Sequence, residues 1–249
     1  MDIIILGSGT CVPSLERQPC SVLIRHRGFV ILVDAGPGIL GQVLKAGLGI
    51  DDIDAVFLSH FHLDHCADLA PFLFATKYPE FTRSKPLLLA GGPGLSRWFD
   101  GLRQVFGHSI DLPDGYFECR ELAAEGQIVL PGIAVAYAPM AHKPESLGYR
   151  FCDSTGFSLV YSGDTDVTDA LVTLASGADI LICEAATPDA MKAPGHLTPA
   201  LAGELARKAG VGQLVLTHFY PACQGVDMAA QAGQNFSGEI IAAEDLMAL

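Results

Sequence analysis

Three imidazoles and a carboxylate fall within six residues at His60-Phe61-His62-Leu63-Asp64-His65. Imidazole nitrogen and carboxylate oxygen are the donors that zinc and its first-row neighbours accept. Side chains alternate along an extended segment, so His60, His62 and Asp64 are expected to point one way, with His65 starting the next turn. One cation could take the two early histidines, and a second could take Asp64 and His65. A lone histidine in a polar loop usually does no more than make hydrogen bonds. Four metal-competent groups at this density read instead as a metal site, whose chemistry would be that of cations holding and acidifying water.

The remaining candidates stand at the ends of apolar runs. His142 follows Ile133 to Ala138, Asp164 follows Phe157 to Tyr161, and His218 follows Leu214 to Thr217. Each alone could be a capping or hydrogen-bonded residue, but the shared position just past a buried strand groups them. Two metals need about seven or eight ligand positions, with one carboxylate bridging ions roughly 3.5–4 Å apart. His60, His62, Asp64, His65, His142, His218 and a bridging Asp164 supply that number and leave positions for water. Cys66, beside His65, is read as a buried structural thiol. His26 and His108 lie in polar, turn-like settings and are read as surface residues.

The elements that must position these groups follow from hydrophobic patterning. Ala55 to Leu58 is a short buried strand delivering the histidine cluster at its end. Before it, strands are expected from Met1 up to the turn at Gly7, over Ser21 to Arg25 and over Phe29 to Val33, with a hairpin-like corner at His26-Arg27-Gly28. Asp34 to Gly38 opens a helix over Ile39 to Lys45, and Asp34 is placed to cap it, a bond to a metal-binding histidine being its other open role. Helices are expected over Ala67 to Ala75 and Leu95 to Val105, with a strand at Pro86 to Ala90. Gly91-Gly92-Pro93-Gly94 lacks the spacing and lysine of a phosphate loop and reads as a turn. From Tyr116 to Tyr161 the chain is mostly strand. Beyond Asp164 helix and strand alternate: Leu171 to Ala175, Ile180 to Cys183, Pro199 to Ala209 and Leu214 to Thr217. No linker or repeat of solenoid period interrupts this, so β-rich and α/β halves are expected to share one core in a single domain over residues 1–249.

Composition narrows the partners. Half of the 249 residues are hydrophobic, 17% are charged, and the net charge is −13. That balance provides a core and disfavours nucleic acid, which is held by clustered Lys and Arg. Seven cysteines without paired spacing fit reduced thiols in the cytoplasm. No apolar stretch approaches a membrane span, and a homodimer is the default assembly.

His60-x-His62-x-Asp64-His65 with His142, Gly163-Asp164-Thr165 and His218 resembles the metallo-β-lactamase superfamily from end to end. Leu6-Gly7-Ser8-Gly9-Thr10, Leu32-Val33-Asp34-Ala35-Gly36, Leu216-Thr217-His218-Phe219 and the stretch from Gly238 to Leu246 resemble its ribonuclease Z-like branch. The resemblance implies an α/β fold, a four-layer αβ/βα sandwich with a dinuclear site at one edge of the sheets. It implies one cation on His60, His62 and His142, a second on Asp64, His65 and His218, and Asp164 shared. The ions would be zinc, with manganese or iron as alternatives. In the family mechanism a bridging hydroxide attacks the electrophile, and Asp64 both ligates and orients it.

His196, in Gly195-His196-Leu197-Thr198, matches the His-Ser-Thr position of ribonuclease Z-like enzymes, and Glu184 matches the carboxylate that orients that histidine. A histidine beside a carboxylate is held in one tautomer and made more basic, which suits proton transfer. The bland reading makes His196 a loop residue ahead of a helix capped by Thr198.

Two departures bear on substrate. Asp164 lies 22 residues after His142, too close for the basic tRNA-gripping arm of long ribonuclease Z proteins. Pro13 to Gln18 looks like a degraded form of the tRNA-end recognition loop, with Leu15 and Gln18 in place of Lys and Asn. The expected activity is therefore metal-dependent hydrolysis of a small, anionic phosphodiester. Hydrolysis of lactones, thioesters or sulfate esters is the alternative. A tRNA 3′-processing endoribonuclease and a non-hydrolytic di-iron redox module rank behind both.

Overall fold

In the computed structural model, which describes residues 1–78 and 83–249, the chain forms two seven-stranded sheets packed face to face. The first half supplies β1 (Asp2–Gly7), β2 (Ser21–His26), β3 (Phe29–Val33), β4 (Ala55–Leu58), β5 (Leu87–Gly91) and β6 (Phe117–Glu121). The second sheet is built from β7 (Gly126–Leu130), β8 (Ile133–Pro139), β9 (Leu147–Asp153), β10 (Ser158–Tyr161), β11 (Ile180–Glu184), β12 (Gln213–Thr217) and β13 (Glu239–Ala242). The last strand, β14 (Met247–Ala248), returns to the first sheet and pairs antiparallel with β1, Ile4 opposite Ala248. Strand orders are β14-β1-β2-β3-β4-β5-β6 and β13-β12-β11-β10-β9-β8-β7.

Three helices cover the first sheet: α1 (Ile39–Lys45), α3 (Leu69–Ala75) and α4 (Leu95–Phe106). Three more cover the second: α5 (Asp169–Leu174), α6 (Pro199–Ala209) and α7 (Met228–Ala232). A short helix, α2 (Leu63–Cys66), lies within the histidine cluster itself.

This layering explains why the central strands are unbroken apolar runs. Adjacent residues on a strand face opposite sides, so a strand covered on both faces needs apolar residues at every position. In β4, Ala55 and Phe57 face the layer between the sheets, while Val56 and Leu58 face the helices. In β10, Leu159 and Tyr161 face inward and Val160 outward. Phe57 meets Tyr149 and Phe151 of the other sheet edge-on, at centroid separations of 5.2 and 5.7 Å. Contacts of that geometry add about 0.5–1.5 kcal/mol each beyond area burial.

The expected four-layer αβ/βα sandwich is what forms, but its halves are not β-rich and α/β as the sequence suggested. Each sheet joins antiparallel pairs on one side to parallel pairs on the other, the change falling at β3–β4 in one and β10–β11 in the other. The helices α1, α3 and α4, each expected from the sequence, cover the first sheet as α5, α6 and α7 cover the second. The corner at Arg27-Gly28 is a two-residue hairpin loop with both residues at positive φ, 51° and 82°, the twist that suits flanking strands. His26 belongs to β2 and is only 9% exposed, so its reading as a surface residue is corrected; His108 is exposed as expected. Between His142 and Asp164 the chain is largely taken up by β9 and β10.

Candidate metal centre

Most candidate residues arrive just past the end of a strand, along one edge of the sandwich. His60 and His62 follow β4, His142 follows β8, Asp164 follows β10, and His218 follows β12. Asp64 corrects the expectation of an extended segment, while His65 lies in a turn as expected. The chain is extended only as far as His62 (ψ 148°), and α2 begins at Leu63, so both reach the cluster from one helical turn. His218 sits at φ 63°, a strained conformation for a bulky residue that turns the chain sharply where β12 ends. Its neighbour Phe219 is tied down by a backbone bond to Ser8 O at 2.9 Å.

Donor atoms of His60, His62, His142 and Asp164 lie within 4.8 Å of one another, as do those of Asp64, His65 and His218. Asp164 joins the two groups. One carboxylate oxygen is 3.3 Å from His65 Nε2 and 3.2 Å from His218 Nε2. The other is 3.6 Å from His60 Nε2 and 3.8 Å from His142 Nε2. Among the described residues, His60 Nε2, His65 Nε2, His218 Nε2 and Asp164 Oδ1 are buried with no hydrogen-bond partner. Orphaned polar atoms at this depth are costly, and their convergence fits a cation shared among them.

The far sides of the rings show how the lone pairs are aimed. His142 Nδ1 donates to Gly195 O at 2.9 Å, and His65 Nδ1 donates to Asp34 Oδ2 at 2.7 Å. Ser59 Oγ donates to Asp34 Oδ2 at 2.7 Å, leaving its oxygen to accept from His60 Nδ1 at 3.1 Å. Each of these three rings therefore holds a proton on Nδ1 and turns Nε2 toward Asp164, the nitrogen a metal would take. Burial, helped by the neighbouring positive His65, pushes His60 down to about 2. Burial also lowers His62 and His142. Burial opposes charge on His65, but Asp164 and Asp34 outweigh it and hold its pKa well above the usual range. In the metal-free protein a proton thus supplies positive charge where a cation would. Burial likewise opposes ionisation of Asp164, yet His218 and His65 hold it well below the carboxylate range.

Asp34 does not cap α1. Gly38 holds that position without a side-chain bond, while Asp34 is fully buried behind the cluster at φ 61°. Its second open role, a bond to a metal-competent histidine, is the one observed. Ser59 and Tyr161 were not singled out by sequence reading, and nothing in their spacing marks them. Cys66 is a structural thiol, donating to His62 O at 3.0 Å. The turn after Asp34 packs directly on α2, with Ala35 N donating to His65 O at 2.7 Å. A Cβ on Gly36 would lie 1.9 Å from Asp64 O. We expect Gly36→Ala to lose about 3 kcal/mol of stability, read as a lowered thermal midpoint.

Sequence reading paired His196 with Glu184, and the two meet: His196 Nδ1 lies 3.1 Å from Glu184 Oε1. Glu184 is buried and also accepts from Thr165 N (2.6 Å) and Leu197 N (3.0 Å). Burial raises the Glu184 carboxyl, and the bond to Glu184 raises His196 against its own burial. The structure also groups His196 with Asp164 and His218 as a third set of metal-competent atoms, which the sequence did not suggest. Thr198 stands at the start of α6 but makes no side-chain cap bond. At the mouth of the cluster Phe61 stacks on Trp98 at 5.1 Å, and Tyr220 stands edge-on to His218 and His196.

Residues 30–219 match the family model of the beta-lactamase superfamily domain. The chain belongs to the metallo-β-lactamase superfamily. A curated relative, the ribonuclease Z of Mycobacterium bovis, is 31% identical over 99% of this chain and 96% of its own length. Among solved structures, the metallo-β-lactamase fold protein YhfI of Bacillus subtilis covers 100% of this chain and 98% of its own, with TM-score 0.87 and 23% identity. A diphosphatase of the PhnP family covers 100% and 96%, with TM-score 0.77 and 23% identity. These two likenesses are of fold. The protein is a metal-dependent hydrolase on the ribonuclease Z-like branch of the superfamily, a fold that implies binding of divalent metal.

Proposed function

We propose that residues 1–249 form one hydrolase unit that cleaves a small, anionic phosphodiester at a two-cation centre. His60, His62 and His142 would hold one ion, Asp64, His65 and His218 the other, and Asp164 both. The observation that carries this reading is the set of orphaned, buried nitrogens facing one carboxylate. Zinc suits the donor set, and manganese or iron are accepted by the same atoms. A bound divalent pair supplies a more acidic water and positive charge for the phosphoryl oxygens.

The chain's own residues do the rest. Asp64, one oxygen of which lies 3.7 Å from both His65 and His218, is the second carboxylate at the centre and orients the nucleophile. His196, steadied by Glu184, gives a proton to the leaving oxygen. Tyr220 opens on a cavity of about 480 Å³ lined by Leu15, Arg17 and Phe219, a size that suits a small ligand. The net charge of −13 and the strands filling the interval from His142 to Asp164 support a small substrate over a tRNA. The seven free cysteines support a cytoplasmic setting. Among the described residues no helix is long and apolar enough to cross a membrane.

The test is a panel on the zinc- or manganese-loaded protein: bis-p-nitrophenyl phosphate, cyclic nucleotides, a lactone, a thioester and a precursor tRNA. Turnover of the phosphodiesters, with the lactone and thioester untouched, is expected. Cleavage of the tRNA trailer at physiological salt in preference to the small diesters would reverse the substrate assignment.

A further inference from the structure

We propose that Tyr161 is a positioning residue that holds both cation sites in register through Asp34, a role that rests on the two-cation reading above. The Asp34 carboxylate is wholly buried and saturated with donors. Its Oδ1 accepts from Ser59 N at 2.7 Å. Its Oδ2 accepts from Ser59 Oγ at 2.7 Å, His65 Nδ1 at 2.7 Å and Tyr161 OH at 2.8 Å. Through Ser59 and His65 this single carboxylate orients one ring from each ligand group, His60 and His65.

Of those donors only Tyr161 comes from the second sheet. It ends β10, three residues before Asp164. Because the phenol proton goes to Asp34, the phenol oxygen is free to accept from Cys20 Sγ, 3.3 Å away. Cys20 Sγ in turn lies 3.4 Å from Thr217 Oγ1, next to His218. A connected polar series thus crosses the layer between the sheets, where the surrounding residues are Val22, Val33, Phe57, Ile182 and Val215. Polar groups placed there are costly unless each is paired, and here each is.

The need for such a link follows from how the centre is assembled. His60 and His65 follow β4 of the first sheet; Asp164 follows β10 and His218 follows β12 of the second. Apolar packing between sheets is non-directional and does not by itself fix their relative placement to the tolerance of a metal ligand. A hydrogen bond from β10 to the carboxylate that orients the first sheet's rings does. Groups of this kind behind a metal site typically change metal affinity about 10- to 100-fold when removed.

The experiment measures zinc affinity by competition with a chromophoric chelator, with circular dichroism as the check on folding. Tyr161→Phe is expected to fold and to bind zinc about 10- to 100-fold more weakly. Cys20→Ala, which leaves the Tyr161–Asp34 bond in place, should keep wild-type affinity. In an Asp34→Asn background, adding Tyr161→Phe should cause no further loss. Wild-type affinity in Tyr161→Phe, an equal loss in Cys20→Ala, or a further loss in the Asp34→Asn background would each overturn the role. So would a Tyr161→Phe protein that does not fold, because the hydroxyl would then hold the fold and not the ligands. A wild-type protein that takes up none of zinc, manganese or iron would sink the two-cation reading itself, and this role with it.

Discussion

Replacing Asp164 with asparagine is expected to lower kcat/KM by at least about 10³-fold, a loss near 4 kcal/mol of transition-state stabilisation. Asp164 is the carboxylate that reaches both ligand groups, lying 3.2 to 3.8 Å from His218, His65, His60 and His142. Two divalent cations in one cluster repel, and the shared negative charge is what lets them coexist. Asparagine keeps the shape, removes the charge and puts an amide N–H where an acceptor is needed. Metal content by mass spectrometry should fall below two ions per chain along with the rate. A variant that keeps two ions and its turnover would show that Asp164 is not the shared ligand.

The second large effect is expected at His196. His196→Ala should lower kcat by about 10²- to 10⁴-fold, the range for losing a positioned general acid, while metal content stays at the wild-type value. The separation of the two readouts follows from geometry. His196 commits its Nδ1 to Glu184 at 3.1 Å, and that atom lies 3.9 Å from the Asp164 carboxylate. Loss of metal together with activity would instead place His196 among the ligands, as its grouping with Asp164 and His218 allows. Unchanged turnover would return it to a loop residue. Steady-state kinetics on a phosphodiester, paired with metal analysis, distinguishes the three outcomes.

Local pattern carried much of the architecture. Apolar runs such as Ala55–Leu58 and Leu214–Thr217 read as buried strands because both faces of each sheet are covered, which leaves no polar position to confuse the period. Pro199–Ala209 read correctly at both ends, with proline in its first turn and Gly210 at its C-cap in the left-handed conformation. The errors fall where a residue's role depends on a distant part of the chain. Asp34 looked like a helix cap because its sequence neighbours are a turn and a helix. Its partners Ser59, His65 and Tyr161 are 25, 31 and 127 residues away. His26 looked like a turn residue because Arg27-Gly28 follows it, yet Asp153, 3.9 Å away on β9, shares its buried setting. Asp64 looked extended because a period of two fits three alternating polar residues as well as the start of a helix does.

The sequence by itself determined the inventory of metal-competent side chains, since imidazole and carboxylate at His60-x-His62-x-Asp64-His65 have few other uses at that density. It also determined that each remaining donor stands just past a strand, because strand ends are marked by where an apolar run stops. Only the tertiary structure decided that those ends lie on the same edge of two facing sheets, that Asp164 joins both groups, and that Asp34 orients rings in each. The physical reason is range. Residue type and hydrophobic period act over a few neighbours, whereas the aim of a nitrogen lone pair is set by hydrogen bonds from strands far apart in the chain that meet only when the two sheets close on each other.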